Sequence, residues 1–419
     1  MTTMSSLQTD ASTLRRPAPA PPGRMLALTL DADWAPRPGA PISVEEASTK
    51  TARCAAHAWR RPRISLGHAP TPTIADDEVL IRVRACGICG SDNHLCENDE
   101  DGYVIFSGAA GLPVILGHEF AGEVVETGKR VVTLRRGDAV AAESVVWCGL
   151  CKPCRSGAFN QCLRMRMIGF GVPGALAQYV AVKERCCWSL NDLRSACGDG
   201  DELFELGALL EPIGCSYNGL FVDGGGMRPG AYVAVYGAGP IGLAAIMLAR
   251  AAGAAKIFAF DIREPRVKLA REMGADFAAN PEVLAREGTS PAQVVQDLTQ
   301  GQGADVQIEA AGAAPQTVPE IERAFAPNGK MIYLGRAGNV ADMNLDTLVS
   351  QANQITGARG HAGRGTFPSV IRMLATGRIP AHHMITARFP LNEAPAAIER
   401  AGARNDGKVM VVMPMTGTP

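Results

Sequence analysis

Apolar and polar positions along the chain predict strands and helices in alternation. Residues 79–83, Val-Leu-Ile-Arg-Val, read as a strand. In the second half, strand-length apolar runs recur at 231–236, 256–260, 305–309 and 330–334. Helical patterns fall between and after them, at 243–252, 318–325 and 369–376. That order predicts a parallel, doubly wound sheet. The run 231–249 is uncharged and almost long enough to span a bilayer. It contains Gly237, Gly239, Pro240 and Gly242, so it reads as strand, turn and helix, with no membrane span. No internal repeat is found.

Composition narrows the class. The 419 residues suggest two or three domains, at about 100–200 residues each. A net charge of −1 argues against nucleic-acid partners, because phosphate contacts need a basic surplus. Only 5% of residues are aromatic, so cores of Ala, Val, Leu and Ile are expected. Residues 1–24 are rich in Ser, Thr, Pro and Ala and read as a disordered tail. Arg15-Arg16 is followed by prolines, and the apolar stretch 25–30 is too short for a signal core. A cytoplasmic protein is expected.

Four of the 12 cysteines, Cys148, Cys151, Cys154 and Cys162, follow a C-x2-C-x2-C-x7-C pattern. Short spacings let one tight loop supply the four thiolates of a tetrahedral zinc site, with Gly149, Pro153 and Gly157 as turn residues. Such a site is closed, hence structural. Four unliganded thiols or an iron–sulfur cluster are the alternatives. The strand 79–83 leads into Gly87-Ile88-Cys89-Gly90-Ser91-Asp92, and Gly117-His118-Glu119 follows. Each is weak alone. Together they offer the thiolate, imidazole and carboxylate of a catalytic zinc with an open position.

The glycine pattern Gly237-Ala-Gly239-Pro240-Ile241-Gly242 lies between a strand and a helix. Gly237 permits the turn, Gly239 lets backbone approach a pyrophosphate, and Gly242 permits close packing. The helix N-terminus then faces the phosphate charge. Asp261, nineteen positions past Gly242, is placed to bind ribose hydroxyls and repel a 2′-phosphate. NAD is therefore favoured over NADP, although Arg263 or Arg266 could meet a phosphate. Gly312 and Gly335 end later strands of the same sheet.

In this order, the motifs resemble those of the zinc-dependent medium-chain dehydrogenases, over roughly residues 25–415. The resemblance implies an α/β protein: a Rossmann doubly wound parallel sheet plus a GroES-like, mostly β catalytic domain with a zinc lobe. Its implied layout is a catalytic domain over 25–215, a lobe near 145–165, an NAD-binding domain over 216–356, and a return to the catalytic domain over 357–419. It implies two zinc ions per chain. The catalytic ion would be held by Cys89, His118 and a residue after the lobe. Glu211, in Leu210-Glu211-Pro212, is that third ligand directly or through water, with Cys215 as the alternative and Glu119 able to approach the metal. Ser91 would contact the substrate oxygen and His94 would pass its proton to solvent, unless His94 is an exposed histidine without a task. Asp92 resembles the carboxylate that orients a metal-bound imidazole.

Several segments are most similar to cyclitol and polyol enzymes of the inosose type: 98–103, 210–218 and 360–368. Ile213, Gly214 and Cys215 depart from that pattern. The acidic stretch Glu97, Asp99, Glu100, Asp101 offers partners for a polyhydroxylated ring or an amine; as a solvated loop it would offer nothing. The expected activity is reversible oxidation of a cyclitol, aminocyclitol or polyol alcohol, by a homodimer or homotetramer. A dehydrogenase of linear polyols, sugars or simple alcohols, and a non-catalytic NAD-binding sensor or scaffold, are the alternatives.

Overall fold

The computed structural model describes residues 20–336 and 340–413. Most of the expected tail lies outside the described residues, and Arg24 already opens a strand, Arg24–Trp34. The strand expected at 79–83 runs over Glu78–Gly87 and is buried along most of its length. It lies inside a seven-stranded sheet. One side pairs with Glu119–Thr127, antiparallel. The other pairs with Tyr179–Lys183 along the first half and with Lys408–Val412 along the second. Its charged residues are matched: Arg82 meets Glu123 and Arg84 meets Asp201, each at 2.8 Å.

The second sheet has six parallel strands in the order Phe277–Ala279, Lys256–Phe260, Tyr232–Tyr236, Ala304–Glu309, Phe325–Tyr333, Gln354–Gly357. The order reverses between Tyr232–Tyr236 and Ala304–Glu309. Ligands of such sheets bind in the crevice at that point, beyond the carboxyl ends of the strands. Helices start earlier than their apolar patterns suggest. The helix expected at 243–252 is Pro240–Ala251, and that expected at 318–325 is Ala314–Arg323. In both, proline occupies the first turn, where its missing N–H has no helical partner to lose. Phe325 instead opens a strand.

The two halves share material. The expected change-over at residue 215 falls within a helix, Leu210–Tyr217. Ile385–Pro390 and Lys408–Val412 return to the first sheet. One buried apolar cluster runs from Leu203 and Leu210 through Val235 and Leu243 to Phe367 and Met410. Each fully buried Leu or Ile there contributes about 1.5–3 kcal/mol. No helix among the described residues is long and apolar enough to cross a membrane.

Candidate active site

Strand register builds the centre of the site. Gly87 is paired with Glu119 in neighbouring antiparallel strands. Cys89 lies just past the end of one strand and His118 just before the start of the other, so the two meet. Cys89 also begins the helix Gly90–Cys96, and its N–H donates to Asp92 Oδ2 at 2.9 Å. The other oxygen of the fully buried Asp92 lies 3.4 Å from His118 Nδ1. The Phe170 ring backs His118 at 4.8 Å. Donor atoms of Cys89, His118 and Glu119 all lie within 4.8 Å of one another. Burial pushes the His118 pKa down, but Asp92 and the Cys89 thiolate raise it well above its ordinary value. The pocket thus favours positive charge. Soft sulfur, imidazole and carboxylate donors in such a field fit a zinc ion.

Two carboxylates flank this centre, each already matched. Lys408 is buried and places Nζ on both oxygens of Glu119, 2.7 Å from Oε1, with Ile88 O accepting at 3.0 Å. Gly87 makes room for this pair: a Cβ there would lie 2.2 Å from Glu119 Oε2 and 3.2 Å from Lys408 Cδ. Glu211, in the first turn of Leu210–Tyr217, stands outside the close group. His361 Nε2 lies 3.1 Å from its Oε1, and Ser144 Oγ donates to the same oxygen at 3.3 Å. Burial raises the Glu211 pKa, yet His361 carries it well below the carboxylate range. Both contacts fall on Oε1, which leaves Oε2 for a further donor or a cation. Cys215 is one turn on from Glu211. Burial and the nearby acids raise its thiol well above the usual value.

The four lobe cysteines are free thiols whose sulfurs lie within 4.8 Å of one another. Cys151 Sγ is 3.4 Å from Cys154 Sγ and 3.9 Å from Cys162 Sγ. Sulfurs around one zinc at about 2.3 Å would stand roughly 3.8 Å apart. The set fits a closed metal site.

The glycine turn lies at the crevice between the halves of the parallel sheet. Gly237 has φ +94°, and a Cβ there would lie 2.6 Å from Ala311 N; one on Gly242 would lie 1.8 Å from Gly237 O. Only glycines leave this cradle open, which fits a dinucleotide pyrophosphate. Pro240 and Ile241 begin the helix. Asp261 follows the strand Lys256–Phe260 and accepts from Ala238 N at 2.7 Å and Arg263 N at 2.8 Å. The Arg266 guanidinium comes within 3.5 Å of a Cβ built on Gly239, and its Nε donates to Asp406 O at 3.0 Å. Gly335 approaches Gly312, where its Cβ would be 2.3 Å from Gly312 N.

Ser91 and His94 lie on the helix that Cys89 begins, both half-buried. Burial, then the Arg404 guanidinium, push His94 below its ordinary pKa, so it is neutral near pH 7 and can accept a proton. The acidic stretch is largely spent on arginines. Asp99 and Asp101 pair with Arg37, the latter at 3.2 Å, and Glu97 pairs with Arg404 at 3.2 Å. Sequence reasoning missed Lys408, His361 and Ser144 as site residues. A lysine opening the apolar run Lys-Val-Met-Val-Val was the one visible signal.

Comparison with known proteins identifies the relatives of this chain. Residues 75–192 match the alcohol dehydrogenase GroES-like domain, and residues 240–376 match the zinc-binding dehydrogenase domain. The chain is 38% identical to scyllo-inosose 3-dehydrogenase of Thermotoga maritima, over 90% of this chain and 96% of that one. It is 32% identical to L-threonine 3-dehydrogenase of Symbiobacterium thermophilum, over 84% and 95%. A solved structure from Thermotoga maritima, provisionally described as an alcohol dehydrogenase, superposes with a TM-score of 0.87 at 36% identity. That superposition covers 93% of this chain and 100% of the other.

Proposed function

The chain belongs to the zinc-binding alcohol dehydrogenase family, and from that premise we propose that it oxidises a secondary alcohol of a cyclitol, aminocyclitol or related polyol to the ketone, reversibly, with NAD as acceptor. Zinc would supply Lewis acidity toward the alcohol oxygen, and the nicotinamide ring would accept the hydride. Cys89, His118 and Glu211 hold the catalytic zinc, with Asp92 fixing the imidazole. Glu119 stays with Lys408, which occupies both of its oxygens. The four lobe cysteines hold a second, structural zinc. Ser91 receives the alcohol proton, and His94, one turn further on the helix, passes it outward. Gly237, Gly239, Pro240, Ile241 and Gly242 receive the pyrophosphate, and Asp261 the ribose hydroxyls. Arg266 flanks the turn, while Gly312 and Gly335 approach each other closely, as only glycines can there.

One juxtaposition carries this reading. The helix Leu210–Tyr217 bears Glu211 beside the Cys89–His118 centre. Its Ser216 Oγ also donates to Ile241 O at 2.7 Å, in the glycine turn. The helix that bears Glu211 therefore also touches the cofactor turn, which supports one shared cleft for metal and cofactor. The inosose relative and the similar segments support a cyclitol substrate.

The test is a screen of inosose, inositols, aminocyclitols, sorbitol, threonine and small alcohols, with NAD or NADP, followed by cofactor absorbance. The highest kcat/KM is expected for a cyclitol with NAD. A preference for threonine or linear polyols would replace the substrate class, and no turnover by zinc-loaded protein would favour the sensor. We read the partner as further copies of this chain, in a cytoplasmic dimer or tetramer. Ile355, on the edge strand, is 47% exposed, and Leu345 and Val349 beside it are 68% and 80% exposed. A monomer mass in light scattering would remove that reading.

A further inference from the structure

The four-cysteine lobe grips one loop on both sides of His361. Asn160, between the third and fourth lobe cysteines, is 3% exposed, and its Nδ2 donates to Arg359 O at 2.7 Å. That carbonyl is two residues before His361. Phe159, stacked on Trp147 at 4.1 Å, lies against Gly363, two residues after it. A Cβ on Gly363, whose φ is +85°, would lie 2.5 Å from the Phe159 ring. The loop is also tied down at Gly363 N, which donates to Glu143 Oε1 at 3.2 Å; Trp188 Nε1 holds the same oxygen at 3.1 Å. Ser144 follows Glu143 and precedes the first lobe cysteine by four residues. Between these supports, His361 is 1% exposed, tilted against the Phe367 ring at 5.0 Å, with Nε2 3.1 Å from both Glu211 Oε1 and Ser144 Oγ. Its buried Nδ1 has no hydrogen-bond partner among the described residues, so the Nε2 contacts set the polar direction of the ring.

We propose that Asn160 and Phe159 of the lobe are positioning residues for the catalytic centre: they hold the 359–363 loop so that His361 and Ser144 aim the Glu211 carboxylate. The lobe then has a task beyond its own stability. This rests on the reading of Glu211 as a catalytic-zinc ligand. Groups that orient metal ligands typically change metal affinity by about 10–100-fold when removed.

The experiment compares Asn160→Ala, His361→Gln, the double variant and Glu211→Gln in zinc-loaded full-length protein. Affinity of the catalytic site is read by chelator competition, and lobe occupancy separately by cobalt–thiolate absorption. N160A is expected to weaken catalytic-site zinc about tenfold and to lower kcat more than KM, with the lobe still metallated. In the H361Q background, N160A should add less than about twofold, because both act through one ring. The relay is overturned if N160A lowers only the melting temperature, or if the two effects multiply in full. If E211Q leaves zinc affinity unchanged, the ligand reading of Glu211 fails instead. Should N160A not fold, Phe159→Leu reads the same affinity.

Discussion

The lobe and the cleft gather their candidate metal donors by opposite kinds of construction. The lobe draws four sulfurs from residues 148–162, with its own turns between them. Spacing alone brings the ligands together. The cleft draws Cys89 and His118 from two strand ends and Glu211 from a helix, while Lys408, which pairs with Glu119, and His361, which pairs with Glu211, come from the far end of the chain. Here register and packing bring the groups together. A spacing-built site tolerates changes elsewhere, whereas a packing-built site depends on everything that holds its elements.

The largest effect should come from breaking each site at one sulfur. Cys89→Ser should lower kcat/KM by about a thousandfold or more, some 4 kcal/mol of barrier. The lobe metal should remain, at one equivalent by elemental analysis. Cys154→Ser should lose the lobe metal, and with the loop it grips, about tenfold in turnover. The asymmetry is the point. If C154S left turnover intact, the two regions would be independent. If C89S also emptied the lobe, their different construction would mean nothing.

The next effect concerns charge. The cleft encloses Asp92, Glu119, Glu211 and Lys408 out of water, and removing one partner of a buried pair costs about 3–5 kcal/mol. Lys408→Met should therefore destabilise the protein by that amount in urea unfolding, with Glu119 left buried and unpaired. Adding Glu119→Gln should recover most of it. The lobe offers a contrast: Lys152 and Arg155 beside it lie at the surface, so Lys152→Met should change stability by less than about 0.5 kcal/mol. Equal losses in both regions would erase the distinction.

What was legible in the sequence follows the same division. The lobe, the glycine turn and the parallel strands were read because their signals are periodic or closely spaced. Cys89 and His118 were read as a weak donor set from residue type and joined to one metal only through resemblance, since nothing in their 29-position separation says that Gly87 pairs with Glu119. Lys408 and His361 were missed because their meaning lies in partners 289 and 150 positions away. The acidic stretch could be read from sequence either as substrate partners or as a solvated loop, because the arginines that pair with it, Arg37 and Arg404, come from distant segments. Helix starts were placed late because proline in a first turn breaks the apolar pattern without breaking the helix.

The remaining prediction sharpens the comparison at a site of intermediate construction. The glycine turn is local, but Asp261 reaches it from the next strand and accepts from Ala238 N at 2.7 Å. Asp261→Ser keeps a small acceptor and removes the charge that faces a 2′-phosphate. With Arg266 already lying against Gly239, the variant should shift the ratio of kcat/KM for NAD over NADP toward NADP by about 10–100-fold, or roughly 1.4–2.7 kcal/mol. Stability should fall by only about 1 kcal/mol, for weakened hydrogen bonds to two backbone N–H groups. The expected change is confined to the cofactor: catalytic-site zinc affinity should not move. A shift in zinc affinity would mean that Arg266, tied through Asp406 O to the segment bearing Lys408, carries strain from the turn into the cleft. An unchanged cofactor ratio would remove Asp261 from the ribose site.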